Sequence, residues 1–120
     1  MLNLFLPKLS TVDQIKIVKC KLERILKSNS SISRIILVGS AVHFQMGENS
    51  DVDLVIIHPD DCDQKQIRSD LAKNRGQDMW PEDLLIVSES FFLKRSKLGG
   101  IYWIAATEGV EIFPRFDLRS

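Results

Sequence analysis

Three short apolar runs constrain this chain more than anything else in it: residues 34–38 (RIILV), 52–57 (VDLVII) and 83–87 (DLLIV). Each is short, bounded by turn residues and rich in branched aliphatic side chains, so the first two read as buried strands and the third as another strand. The first stops at Gly39-Ser40 and the second just before Pro59. The second and third open on carboxylates: Asp51 and Asp53 on one, Asp83 on the other. Side chains two apart on a strand share a face, so Asp51 and Asp53 point the same way. Two ionised carboxylates that close repel each other, and burial raises the cost. A strand that opens on such a pair calls for a positive partner.

The segments between the runs supply helices. Residues 11–27 place Ile15, Val18, Leu22, Ile25 and Leu26 on one face at three- and four-residue steps. Thr11 followed by Gln14 fits a capping box at the start of that helix. Residues 60–74 read as a second helix with acidic residues in its first turn, anchored by Ile67 and Leu71. Residues 88–94 and 101–108 read as two shorter ones, and 110–113 (VEIF) as a final edge strand. Residues 40–50 connect the first two strands, with a short helix at the start and turn chemistry at 47–50. The order α-β-α-β-α-β-α-α-β describes a small mixed α/β domain, and 120 residues fit one such unit, spanning 1–120.

Composition narrows the function. Sixteen basic residues balance sixteen acidic ones, which argues against a general nucleic-acid binder; no direct nucleic-acid contact is expected. Cys20 and Cys62 stand in no metal-ligand spacing and read as free thiols of a cytoplasmic protein. The apolar opening MLNLFLPKLS is short and interrupted by Pro7. It is neither a membrane span nor a signal peptide.

The carboxylates therefore point to a cation. Mg²⁺ takes hard oxygen ligands and is typically held by one or two carboxylates plus substrate phosphates. If the second and third strands are neighbours, Asp83 joins Asp51 and Asp53. Three carboxylates can hold the two ions used in phosphoryl and nucleotidyl transfer. Gly39-Ser40 suits the same site, because glycine lets the backbone approach an anion and Ser40 offers a hydroxyl and an N–H. The candidate residues are thus Asp51, Asp53 and Asp83 for metal and catalysis, with Gly39, Ser40 and Ser50 on the nucleotide side.

Gly39-Ser40, ten residues and Asp51-Val52-Asp53 match the GS-x10-D-x-D signature, and on that motif the chain resembles the DNA-polymerase-β-like nucleotidyltransferases. Its length is similar to that of the minimal nucleotidyltransferases (MNT proteins), in which a third carboxylate opens a strand some thirty residues on, as Asp83 does here. The ending, Gly100-Ile101-Tyr102 through Glu108-Gly109-Val110, is also similar. The resemblance covers roughly residues 34–114. It implies a mixed sheet flanked by helices, with Mg²⁺ and ATP at the Gly-Ser and Asp positions. It also implies a HEPN-type toxin as partner and a reaction that moves AMP from ATP to a tyrosine hydroxyl of that toxin. The chain departs from the pattern at 41–46, where His43 stands in place of a frequent basic residue and Phe44 in place of a frequent glycine.

Two other functions stay open on the residues. One is an antitoxin that neutralises by contact alone. The other is a small-molecule transferase of the aminoglycoside type, whose acceptor pocket would need a subunit interface, so homo- or hetero-oligomers remain open. His58 reads as a strand end beside helix-capping aspartates rather than a ligand. Lys94, Arg95 and Lys97 read as a solvated face, Phe91-Phe92 and Tyr102-Trp103 as core or partner-binding residues, and Trp80-Pro81 as loop packing.

Overall fold

A computed structural model of the chain describes residues 9–47, 49–75 and 80–115. The apolar opening at 1–8 and Glu48 of the 47–50 turn lie outside the described residues. Helix α1 (Thr11–Ser28) leads into strand β1 (Arg34–Val38) and a single 3-10 turn (Gly39–His43). Then follow β2 (Val52–His58), α2 (Gln64–Lys73), β3 (Glu82–Ser88), α3 (Glu89–Arg95), α4 (Gly100–Glu108) and β4 (Val110–Phe113). The strand order is β3-β2-β1-β4. β1 pairs antiparallel with β2 and with β4, whereas β2 and β3 run parallel, joined by a crossover through α2.

Alternation along the strands sorts the side chains onto two faces. Ile35, Leu37, Leu54, Ile56 and Ile86 pack against Val18, Leu22 and Ile25 of α1 and Ile67 and Leu71 of α2. Ile36, Val38, Val55, Ile57 and Val87 face the other way, onto Phe92 of α3 and Ala105 of α4. The molecule is therefore a mixed sheet between two helical layers. β4 reaches β1 through a tight corner at Gly109, where a Cβ would stand 2.5 Å from Ile36 Cγ2.

The boundaries correct several sequence expectations. The capping box does not form. Ser10 is the N-cap of α1, its hydroxyl accepting from the Asp13 N–H at 3.1 Å. Gln14 is instead buried: its amide donates to the Leu9 and Phe44 carbonyls, and its oxygen accepts from the Met46 N–H. A side chain that clamps two backbone groups of the 44–46 loop and the Leu9 carbonyl gains more than it would at a solvent-exposed cap. The buried face of α1 also differs. Ile15 is exposed, and Lys21 and Arg24 are buried.

α2 starts at Gln64 rather than at residue 60, because Pro59–Cys62 makes a turn and Asp63 caps the helix through the Lys65 and Gln66 N–H groups. Asp60 accepts from the Ser90 N–H. His58 ends β2, buried, with Nδ1 donating to the Pro59 carbonyl at 2.8 Å. The acidic run after it serves turns and caps, as the sequence indicated.

Candidate active site

The site is built by one strand end and two strand starts. Val38, the last residue of β1, is the register partner of Asp53 on β2. Asp53 is in turn the register partner of Asp83 on β3. Partners in register on neighbouring strands share a face, so both carboxylates lie on the α3/α4 side of the sheet. Asp51 stands just before β2 and is exposed. The Asp53 carboxyl is pushed above its ordinary value, first by burial, then by the charge of Asp83, then by that of Asp51. Among the described residues no hydrogen bond or ion pair compensates any of the three.

Gly39 is required where it stands. A Cβ there would lie 2.5 Å from Asp53 Oδ2, and its φ of +78° is a conformation that favours glycine. The strand end therefore passes directly over the Asp53 carboxylate. Ser40 follows at half exposure, and its hydroxyl has no hydrogen-bond partner among the described residues. The helix after it is one 3-10 turn, so it offers an anion individual N–H groups and the hydroxyl rather than a helix dipole. Phe44 closes that turn at φ 55°, a left-handed conformation that glycine adopts without strain. Ser50 is half-buried; its hydroxyl accepts from the Gly47 N–H at 2.9 Å and closes the turn before Asp51.

Behind the carboxylates lies a buried ionic cluster that periodicity alone did not reveal. Glu82, one residue before Asp83, points to the opposite face of β3 and meets two cations of α1. Lys21 Nζ donates to its Oε1 at 2.8 Å, and Arg24 Nη2 donates to the same oxygen. Lys21 also donates to the Trp80 carbonyl, and Arg24 to that of Asn74. Trp80 Nε1 donates to the Ser50 carbonyl at 3.0 Å, and the Val52 N–H to the Pro81 carbonyl at 3.0 Å. The starts of β2 and β3 are thus tied to each other and to α1, which fixes the register that brings Asp53 beside Asp83.

Arg68 and Arg75 were also not singled out from the sequence. With Asp83, Leu71 and Leu84 they line a cavity of about 210 Å³ between α2 and the outer edge of β3. Both donate to carbonyls of that edge, Arg68 to Ile86 and Arg75 to Glu82.

Among the described residues, no three acidic, histidine or cysteine side chains form a ready-made metal cage. The clamp of three carboxylates on two ions is therefore not preformed. A side-by-side aspartate pair without a cation partner is nonetheless the donor set that Mg²⁺ uses when waters and substrate phosphates complete its shell. It does not suit a metal that needs four protein ligands.

A profile of the nucleotidyltransferase domain matches residues 19–112, most of the chain. The chain belongs to the nucleotidyltransferase domain family. Solved structures agree on the fold. A candidate nucleotidyltransferase from Sulfolobus solfataricus superposes with a TM-score of 0.56 at 14% identity, covering 88% of this chain and 85% of that one. A toxin-antitoxin structure with AMP-PNP superposes with a TM-score of 0.54 at 17% identity, covering 84% and 77%. No curated protein matches the chain. The fold of this nucleotidyltransferase domain is the polymerase-β-like one, a small mixed sheet flanked by helices. Among the described residues no helix is long and apolar enough to cross a membrane, and both cysteines are free.

Proposed function

We propose that this domain is a Mg²⁺-dependent nucleotidyltransferase of the antitoxin type, which moves AMP from ATP to a tyrosine hydroxyl of a HEPN-type toxin in the cytoplasm. The observation that carries the reading is the register pairing of Asp53 with Asp83 under Gly39. The fold likeness to one member of a toxin-antitoxin structure supports the partner class.

In this reading Asp51, Asp53 and Asp83 hold the metal, and Gly39, Ser40 and Ser50 form the nucleotide side. Mg²⁺, when bound, would offset the carboxylate charge and polarise the α-phosphate. Gly39 keeps the backbone low enough for a phosphate to approach, and the Ser40 hydroxyl donates to a phosphate oxygen. Ser50 fixes the turn that aims Asp51. The acceptor hydroxyl gives its proton to a neighbouring carboxylate as it attacks. The acceptor oxygen forms a bond to the α-phosphorus as the bridge to the β-phosphate breaks. Pyrophosphate then leaves with the bonding pair.

Intact-mass spectrometry of a HEPN toxin incubated with this protein, Mg²⁺ and ATP tests the proposal. It should show added AMP groups that Asp51→Asn abolishes. A toxin that is neutralised without modification would establish the contact-only antitoxin instead.

A further inference from the structure

α4 is unusual for a surface helix. Its sequence, GIYWIAATE, is almost entirely apolar, yet only Ala105 is buried. Trp103 is 45% exposed, Ile104 39% and Ile101 41%. A short helix that is apolar on nearly every side belongs in an interior. Here one side packs on the sheet through Ala105, and the outward side carries Gly100, Trp103, Ile104 and Thr107. The large residues sit at the middle of that side and the small ones at its ends.

The charges around α4 run against its dipole. Glu108 lies at the C-terminal end, where the partial charge is already negative, and no basic residue stands in the last turn. Glu108 has no ion pair among the described residues. At the other end, exposed Lys97 precedes the Gly99-Gly100 entry, with Lys94 and Arg95 at the close of α3.

We infer that a second copy of this chain covers α4, with the two α4 helices antiparallel about a two-fold axis near Trp103 and Ile104. Both anomalies are resolved by this arrangement. Trp103 of each copy lies against Ile104 of the other, and Gly100 lies against Thr107. Each Glu108 meets the positive helix end and Lys97 of its partner. An isologous contact of this kind is self-complementary in both shape and charge. A parallel arrangement would instead bring Glu108 against Glu108. The inference stands on α4 and its flanking charges and does not depend on the proposed reaction.

Sedimentation equilibrium of the full chain tests it. The wild type should sediment at twice its 13.7 kDa mass at micromolar concentration. Trp103→Glu should sediment as a monomer with an unchanged circular-dichroism spectrum. Glu108→Lys should weaken the dimer about tenfold or more, and adding Lys97→Glu should restore it. A wild type that stays monomeric across the concentration range overturns the inference and leaves α4 to a different protein. So does a Trp103→Glu variant that is folded and still dimeric. A double charge swap that fails to restore the dimer overturns the antiparallel arrangement.

Discussion

Asp53 and Asp83 are register partners on the parallel strands β2 and β3, and neither carboxylate has a cation partner among the described residues. Such a pair raises the free energy of the folded protein when both groups are ionised. Burial, then Asp83, then Asp51 raise the Asp53 pKa from its ordinary 3.8. The fold therefore favours the protonated form. That advantage is present below the unfolded value and is lost as pH rises through the folded one. Asp53→Asn, which cannot ionise, should be the more stable protein at neutral pH. Its lead should shrink as pH falls and vanish near 3.8. Thermal denaturation across that range in metal-free buffer reads the difference directly, and a constant difference at all pH values would point to a cause other than ionisation.

Gly39→Ala combines two costs, a left-handed φ and a Cβ 2.5 Å from Asp53 Oδ2. The backbone strain alone is about 1–3 kcal/mol, and the contact forces the carboxylate or the strand end to move. Chemical denaturation should show a loss of at least that size, accompanied by weaker Mg²⁺-dependent nucleotide binding. Gly47→Ala is a suitable control, since no atom lies within 4 Å of the added carbon.

Glu82→Ala should be among the most damaging single changes. It leaves Lys21 and Arg24 buried without their shared carboxylate. Removing one partner of a buried ion pair typically costs about 3–5 kcal/mol. Urea denaturation should find a loss of that order, whereas Glu89→Ala, on the same side of the chain's sequence but outside the cluster, should change stability by less than about 1 kcal/mol.

These cases separate what the sequence discloses from what it does not. The strands were legible because RIILV, VDLVII and DLLIV are short runs of branched aliphatic residues, and aspartates at the start of two of them stand out against that background, although on the edge strand β3 only Ile86 and Val87 of the run are fully buried. The pairing of Asp53 with Asp83 was conditional on β2 and β3 being neighbours, and the parallel register supplies the condition. Lys21, Arg24 and Glu82 were not legible. Helical periodicity assigns cations to solvent, and only the tertiary meeting of α1 with β3 gives them a buried acceptor. Gln14 was misread for a related reason: its local partner at Thr11 competes with the Leu9 carbonyl and with two backbone groups that only the folded 44–46 loop presents. Phe44 registered as a departure from a frequent glycine, and the left-handed turn explains why glycine suits that position.

Ser40→Ala should leave folding intact, because no hydrogen bond of the described residues uses the hydroxyl. A hydrogen bond to a charged phosphate contributes about 1.5–3 kcal/mol. Transfer should therefore slow by roughly tenfold to a hundredfold. An unchanged rate would restrict Ser40 to shaping the turn after β1.

The central claim is that the Asp53–Asp83 pair exists to bind a metal-loaded nucleotide, and calorimetric titration of ATP into the protein tests it most directly. With Mg²⁺ present the wild type should bind ATP, and chelation of the metal should weaken that binding strongly. Asp53→Asn should lose about tenfold or more in Mg²⁺-dependent affinity, about 1.4 kcal/mol or more, while remaining at least as stable as the wild type. Equal ATP affinity in the two proteins, or binding indifferent to Mg²⁺, would contradict the account.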